Sequence, residues 1–303
     1  MQNHFEEQKF TPTTTCAGCP IGIVTRTVLN ATEDPVVVTN ATGCMEVTTT
    51  VYPNTSWKVP YIHSAFANAG ATVSGIETAK KALLKKGKIS EDNLKIVAFA
   101  GDGGTYDIGL QALSGALERG HDFLFVCYDN GAYMNTGGQR SGGTPYASTT
   151  ETTPAGKKSI GKIAGRKNIM DIVVGHKIPY AATANIGFLN DFEAKVKKAF
   201  SIKGPKFLLV FSPCVLVWKI STSVTIDVAK LATETNFWPL YEVENSQYKI
   251  SYNPKQKVSV EEFLQTQGRF KHIFKRPDGT DIIAKIQQET DAEWDRLSRL
   301  AQG

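Results

Sequence analysis

Short apolar runs rich in β-branched and aromatic residues recur along this 303-residue chain, each parted from the next by a longer connecting stretch, in most cases of helical character. VVVT (36–39), KIVAFA (95–100), FLFVCY (123–128), the run at 180–183 and FLLVF (207–211) have strand length. Residues 62–86, 107–119, 168–176 and 191–202 have helical character, with Gly120 placed to stop the second helix. Strands alternating with helices in this way build a mostly parallel sheet with helices on both faces, joined by right-handed crossovers. The fold class expected is therefore α/β. From about residue 221 the pattern changes: helical VAKLATET, then PLYEVENSQYKISYNP with the look of a hairpin, then two more helical segments. This predicts a main domain over residues 1–220 and an appended C-terminal α/β arm over 221–303, outside the main sheet.

Composition removes several classes. Hydrophobic residues make up 41% and charged residues 21%, ordinary for a chain with a sizeable core. The apolar runs are far too short to span a bilayer. The start, MQNHFEEQKF, lacks the apolar core of a secretory signal, so a cytoplasmic location is expected. The net charge of +5 is spread out, with one dense group at Lys80, Lys81, Lys85, Lys86 and Lys88. A solvated helix end explains that group, since cations are favourable at a helix C-terminus; the alternative is a docking face for an acidic partner protein. No nucleic-acid motif is present.

Chemistry concentrates at the ends of the apolar runs. Gly101-Asp102-Gly103-Gly104 follows KIVAFA, and Asn130 follows FLFVCY. Mg²⁺ takes oxygen ligands in octahedral geometry and often shares them with phosphates. Asp102 offers a carboxylate, Asn130 an amide oxygen and Ala132 a backbone carbonyl, while the glycines let the backbone approach a diphosphate. A Gly-Asp-Gly taken alone is a plain turn; its place after a strand, with Asn130 after the next, makes it a cofactor grip. The dinucleotide fingerprint does not fit, because the acidic residue lies inside the turn.

The same edge collects sulfur. Cys44 follows VVVT, Cys214 follows FLLVF, and Cys16 and Cys19 form a CxxC pair in polar, Thr- and Gly-rich sequence. Four thiolates suit a [4Fe–4S] cluster. Zinc is the alternative, although it usually brings a second close pair; scattered buried thiols are the plainest reading and suit only Cys127, inside an apolar run.

CAGC, ATGCMEVTTT, GDGGTYDIG, NTGGQRS and SPC, in this order, resemble the β subunits of the 2-oxoacid:ferredoxin oxidoreductases, pyruvate:ferredoxin oxidoreductase among them. The resemblance runs through nearly the whole chain, including FLQTQGRF. It implies that Cys16, Cys19, Cys44 and Cys214 hold one [4Fe–4S] cluster, and that Asp102, Asn130 and the Ala132 carbonyl hold the Mg²⁺ of thiamine diphosphate. Gly101, Asp102, Gly103, Gly104, Asn130, Gly131, Ala132, Tyr133, Met134 and Asn135 would line that cofactor, Asn135 meeting the oxoacid and Cys44 serving both groups. The implied reaction is CoA-dependent oxidative decarboxylation of pyruvate to acetyl-CoA and CO₂, with electrons passing through the cluster to ferredoxin. The same framework serves branched-chain, aryl and other 2-oxoacids. A non-oxidative thiamine decarboxylase is the rival, but it has no use for four cysteines. The family supplies the glutamate that activates thiamine from an α subunit and further clusters from a δ subunit, with a γ subunit in four-chain versions, so the chain alone is expected to be inactive. Pro20 and Ile21 stand where the family often has Gly-Glu, and Val215, Leu216 and Val217 where it often has Pro-Thr-Gly. His63 reads as a packed histidine or a proton shuttle, and Arg140 as an anion contact or a surface residue.

Overall fold

The computed structural model describes residues 9–90 and 92–302; most of the stretch read for a secretory signal lies outside them. Strands β1 (Val36–Ala41), β2 (Tyr61–Ser64), β3 (Lys95–Gly101), β4 (Phe123–Asp129), β5 (Tyr180–Asn185) and β6 (Pro205–Phe211) run parallel. Strands β7 (Tyr241–Glu244) and β8 (Gln247–Ile250) add an antiparallel edge, giving the order β2-β1-β3-β4-β6-β5-β7-β8. The helices are α1 (Ile21–Leu29), α2 (Cys44–Thr49), α3 (Ala69–Lys85), α4 (Leu110–Glu118), α5 (Ile169–Val174), α6 (Leu189–Ser201), α7 (Thr225–Glu234), α8 (Val260–Gln265) and α9 (Gly279–Leu300).

Every residue of β4 and β6 is buried, as continuous apolar runs in a sheet covered on both faces require. Phe125 lies opposite Phe207 across this central pair, their rings stacked 5.9 Å apart. Each such ring removed from water contributes about 2–3 kcal/mol. The covering helices are amphipathic at the expected spacing. In α6, Phe192, Val196, Ala199 and Phe200 are buried, while Glu193 and Lys197 pair at 2.6 Å on the exposed side. That surface pair adds no more than about 1 kcal/mol.

Three expectations change. Residues 61–64 do not open a helix: Tyr61–Ser64 is a strand paired with the outer edge of β1, where an aromatic and a β-branched residue fit the pleat, and α3 begins only at Ala69. The helix expected over 107–119 is present as α4 but begins later, at Leu110, behind a π-helical turn at Gly103–Asp107. The hairpin expected outside the main sheet is its edge: β7 pairs antiparallel with β5, Ala181 facing Val243. Leu240, Tyr241 and Val243 are buried there, so the segment completes the core. The lysine group is likewise uneven. Lys80 is buried, bonded to Asp92 at 2.5 Å and to the Leu94 carbonyl, whereas Lys81, Lys85, Lys86 and Lys88 are exposed around the end of α3. Among the described residues no helix is long and apolar enough to cross a membrane.

The strand order sets the site. From β1 the chain moves outward to β2, then crosses back to β3 on the other side. Loops leaving the carboxyl ends of β1 and β3 therefore diverge and leave a crevice between them, where ligands bind in sheets of this kind.

Candidate functional site

That crevice holds the Gly-Asp-Gly turn. It is a cavity of about 110 Å³ whose lining includes Gly43 and Cys44 after β1, Asp102 and Gly103 after β3, and Asn130 and Ala132 after β4. Asp102 is 1% exposed. Its carboxylate accepts from the Ser141 hydroxyl and, more weakly, from the Asn130 N–H at 3.5 Å. Among the described residues no lysine or arginine pairs with it. Burial, and after it the nearby Asp129, pushes its carboxyl well above the usual range. Asp129 itself is neutralised by Arg166 at 2.6 Å and takes the Tyr106 hydroxyl at 2.5 Å. Its other oxygen receives the Gly131 N–H at 2.9 Å and so shapes the Asn130–Ala132 turn. Two buried carboxylates thus stand together, one satisfied by a cation and one not.

The turn can hold a cation beside the second. One terminal atom of the Asn130 amide lies 2.9 Å from the Ala132 carbonyl oxygen and 2.9 Å from Asp102 Oδ1. As nitrogen it donates two hydrogen bonds. As oxygen it makes two O···O contacts matching the cis edge, about 2.9 Å, of an octahedron with bonds of ~2.0–2.1 Å, the geometry of Mg²⁺. A half-turn of one amide converts a hydrogen-bonded turn into a cation site, so the residues fit the metal expected there. Gly103 has a separate necessity: a Cβ there would stand 2.2 Å from the Tyr133 ring, which lies across the turn with its hydroxyl on Asp107 at 3.0 Å.

A second, larger cavity of about 480 Å³ adjoins the first. Cys16, Cys19, Cys44 and Cys214 all line it, and Cys44, Tyr128, Asn130 and Met134 line both. Cys16 is exposed and the other three are partly buried. Burial pushes the Cys19 thiol up to about 11 and Cys44 up to about 12, with the neighbouring thiols adding to the effect; Cys214 is raised too, again chiefly by burial. Among the described residues no three His, Cys, Asp or Glu side chains gather as a set for a single metal ion. The thiols border a space rather than close on a point. Cys127, as expected, is fully buried in β4, away from this cavity.

The CxxC turn depends on Gly18, which has φ +75° and would place a Cβ 2.3 Å from the Thr222 carbonyl oxygen. Only glycine fits a left-handed turn pressed against another backbone. Gly18→Ala is expected to cost about 1–3 kcal/mol, seen as a lower urea midpoint; an unchanged midpoint would show that the turn relaxes freely.

Asn135 is exposed at the mouth of the smaller cavity, beside Met134 and Tyr133. Arg140 is exposed on the surface, its backbone held by Thr152. His63, which showed no acidic partner in sequence, has one: Glu46 lies 3.7 Å from Nδ1, and Nε2 meets the Thr42 hydroxyl at 2.7 Å. Sequence reasoning missed Ser141, Asp129 and Arg166. Asp129 carried a signal, since an acidic residue directly before Asn130 at a strand end must find a cation once buried; nothing in the sequence marked Arg166 as that cation. Directly after the second departure, Trp218 sets its indole N–H on the Asn130 carbonyl at 2.7 Å. Val217 packs over Gly138, and Ile21 is buried at the start of α1.

Residues 41–210 match the family described as thiamine pyrophosphate enzyme, C-terminal TPP binding domain. Over 290 residues the chain is 53% identical to pyruvate synthase subunit PorB of Thermotoga maritima, covering 94% of this chain and 89% of that one. The chain belongs to the 2-oxoacid:ferredoxin oxidoreductase family. Within it the chain is a thiamine diphosphate-dependent β subunit, and other subunits are implied. PorB of Methanocaldococcus jannaschii is 51% identical, covering 91% of each chain. Ketoisovalerate oxidoreductase subunit VorB of Pyrococcus abyssi is 45% identical, covering 98% of this chain and 94% of its own. The family fold is seen in a solved 2-oxoglutarate:ferredoxin oxidoreductase from Magnetococcus marinus, with a TM-score of 0.56 at 20% identity over 76% of this chain and 81% of that one.

Proposed function

We propose that this chain is the β subunit of a pyruvate:ferredoxin oxidoreductase, carrying Mg²⁺–thiamine diphosphate in the smaller cavity and one [4Fe–4S] cluster in the larger. The observation that carries this reading is the shared wall. Cys44 borders both spaces, so a thiolate on iron and the thiamine-binding turn meet at one residue. Thiamine diphosphate, when bound, supplies an electron sink for loss of CO₂ from a 2-oxoacid. The chain's own groups do the rest. Asp102, the Asn130 amide oxygen and the Ala132 carbonyl hold the metal, and Asp129, clamped by Arg166, fixes the turn that carries two of them. Cys16, Cys19, Cys44 and Cys214 supply four thiolates, the donor set of an iron–sulfur cluster. Asn135, exposed at the mouth, would meet the oxoacid.

The smaller cavity supports a site shared with another chain. Its volume of about 110 Å³ is well short of the ~300–1,000 Å³ that encloses a cofactor-sized ligand. An α subunit would supply the remaining wall and the activating glutamate, with γ and δ subunits, CoA and ferredoxin completing the system in the cytoplasm.

Pyruvate is favoured over a branched-chain 2-oxoacid by the PorB relatives at 53% and 51% identity against VorB at 45%. The test is CoA-dependent viologen reduction by the anaerobically purified complex across a panel of 2-oxoacids. The expected kcat/KM for pyruvate exceeds that for 2-oxoisovalerate by about tenfold or more. A larger value for the branched substrate would reassign the substrate, and CO₂ release without viologen reduction would overturn the oxidative reading.

A further inference from the structure

Arg269 is a buried cation without an acid. Its side chain is 2% exposed, and among the described residues no carboxylate forms a salt bridge with it. Arginine is almost never fully buried unpaired. Nε donates to the Gln267 amide oxygen at 2.8 Å, while Nη2 has no hydrogen-bond partner. The guanidinium lies 3.6 Å over the Trp218 ring, a cation–π contact strengthened by desolvation. Trp218 in turn ties two functional loops together: its N–H bonds the Cys214 carbonyl at 3.1 Å, and its indole bonds the Asn130 carbonyl at 2.7 Å. Nη1 lies against Gly131, so close that a Cβ there would be 2.9 Å from it. The charge is therefore built in behind the loops that carry Cys214 and Asn130.

The groups that act on Arg269 show what it awaits. Burial disfavours its charge most, Arg166 opposes it further, and Asp129, Cys214 and Asp102 favour it. Asp129 is already paired with Arg166, and Asp102 faces the metal position. That leaves the Cys214 loop, whose carbonyl takes the N–H of the same Trp218 that the guanidinium covers. We propose that Arg269 is the buried counter-charge of the thiolate-bound centre, stabilising its reduced state and setting how readily it accepts an electron.

This inference rests on the [4Fe–4S] centre of the proposed function. A cluster held there would accept one electron from the oxidised substrate with no bond made or broken at the centre, its overall charge becoming one unit more negative until an external acceptor took that electron. A fixed cation favours the more negative state, so removing or cancelling it must make the centre harder to reduce.

The test is a redox titration of the anaerobically purified complex followed by electron paramagnetic resonance, reading the signal that Cys214→Ala abolishes. Arg269→Gln removes the charge. Gln267→Glu cancels it in place, sets a carboxylate on Nε and gives the arginine the partner it lacks, so the reading does not depend on Arg269→Gln folding. Both are expected to lower the reduction equilibrium constant by tenfold or more, 59 mV for one electron, while Arg269→Lys stays within threefold of wild type. An unchanged potential in Gln267→Glu, or a shift in Arg269→Lys as large as in Arg269→Gln, overturns the counter-charge role. A wild-type complex with no iron signal dependent on Cys214 overturns the centre itself, a result distinguishable from the other two.

Discussion

Replacing Cys214 by alanine is expected to lower the iron of the assembled complex by about one to four atoms per β chain and to cut oxoacid-dependent viologen reduction about 1,000-fold or more, because the proposed cluster would lose one of its four thiolates and the electrons their exit. Cys214 stands beyond β6, where Ser212 is anchored to the end of β4 by the Asp129 carbonyl at 2.8 Å, so the loop's position does not depend on the thiol. Cys127→Ala provides the control. That thiol is fully buried in β4, and its loss should cost about 1 kcal/mol of packing with iron content and turnover unchanged. Equal loss of iron in both variants would mean that iron retention follows general stability and not this ligand set. Iron and acid-labile sulfide assays on the two purified complexes decide it.

Asp102→Asn carries the second large effect, with opposite signs in the two states of the protein. With cofactor, the proposed metal would lose the one carboxylate assigned to it from this chain, and affinity for Mg²⁺–thiamine diphosphate is expected to fall about 100-fold or more, roughly 2.7 kcal/mol. Without cofactor, the substitution removes a buried acid whose pKa burial and Asp129 hold above its unfolded value. A group raised in this way binds more protons folded than unfolded. Its contribution to stability is present below the unfolded pKa and is lost as pH rises through the folded one. Near neutral pH the wild type therefore carries a penalty that Asn lacks, since an amide there can accept from the Asn130 N–H through its oxygen and donate to the Ser141 hydroxyl through its nitrogen. Cofactor-free Asp102→Asn should melt above cofactor-free wild type at pH 8, with the gap closing toward acid pH, yet gain little on adding Mg²⁺ and thiamine diphosphate. A lower melting temperature in both states would show that Asp102 is a structural group and not a ligand held in readiness.

How much of this was legible in the sequence depends on whether a residue works locally. The apolar runs at 95–100, 123–128 and 207–211 appear as β3, β4 and β6, because strands covered on both faces must be continuously apolar. The placing of Cys44, Asp102, Asn130 and Cys214 at strand ends followed from that alone, and the sheet brings them to one edge. What was not legible is long-range. Tyr61–Ser64 joins the sheet only because β1 has an open edge, and the 241–250 hairpin is captured by β5; neither partner is visible from the segment itself. The clamp on Asp129 comes from Arg166, far along the chain. His63 acquired Glu46 only through pairing of β2 with β1, and no local pattern singles out Arg269, whose lack of an acid follows only from its burial.

Diffraction at the iron absorption edge, from anaerobically grown crystals of the whole complex soaked with Mg²⁺–thiamine diphosphate, examines the shared wall at Cys44 most directly. Iron anomalous density is expected among the sulfurs of Cys16, Cys19, Cys44 and Cys214, with the diphosphate metal on Asp102, Asn130 and the Ala132 carbonyl on the other side of Cys44. Zinc or no metal at those four sulfurs, or thiamine diphosphate bound away from Asp102, would contradict it.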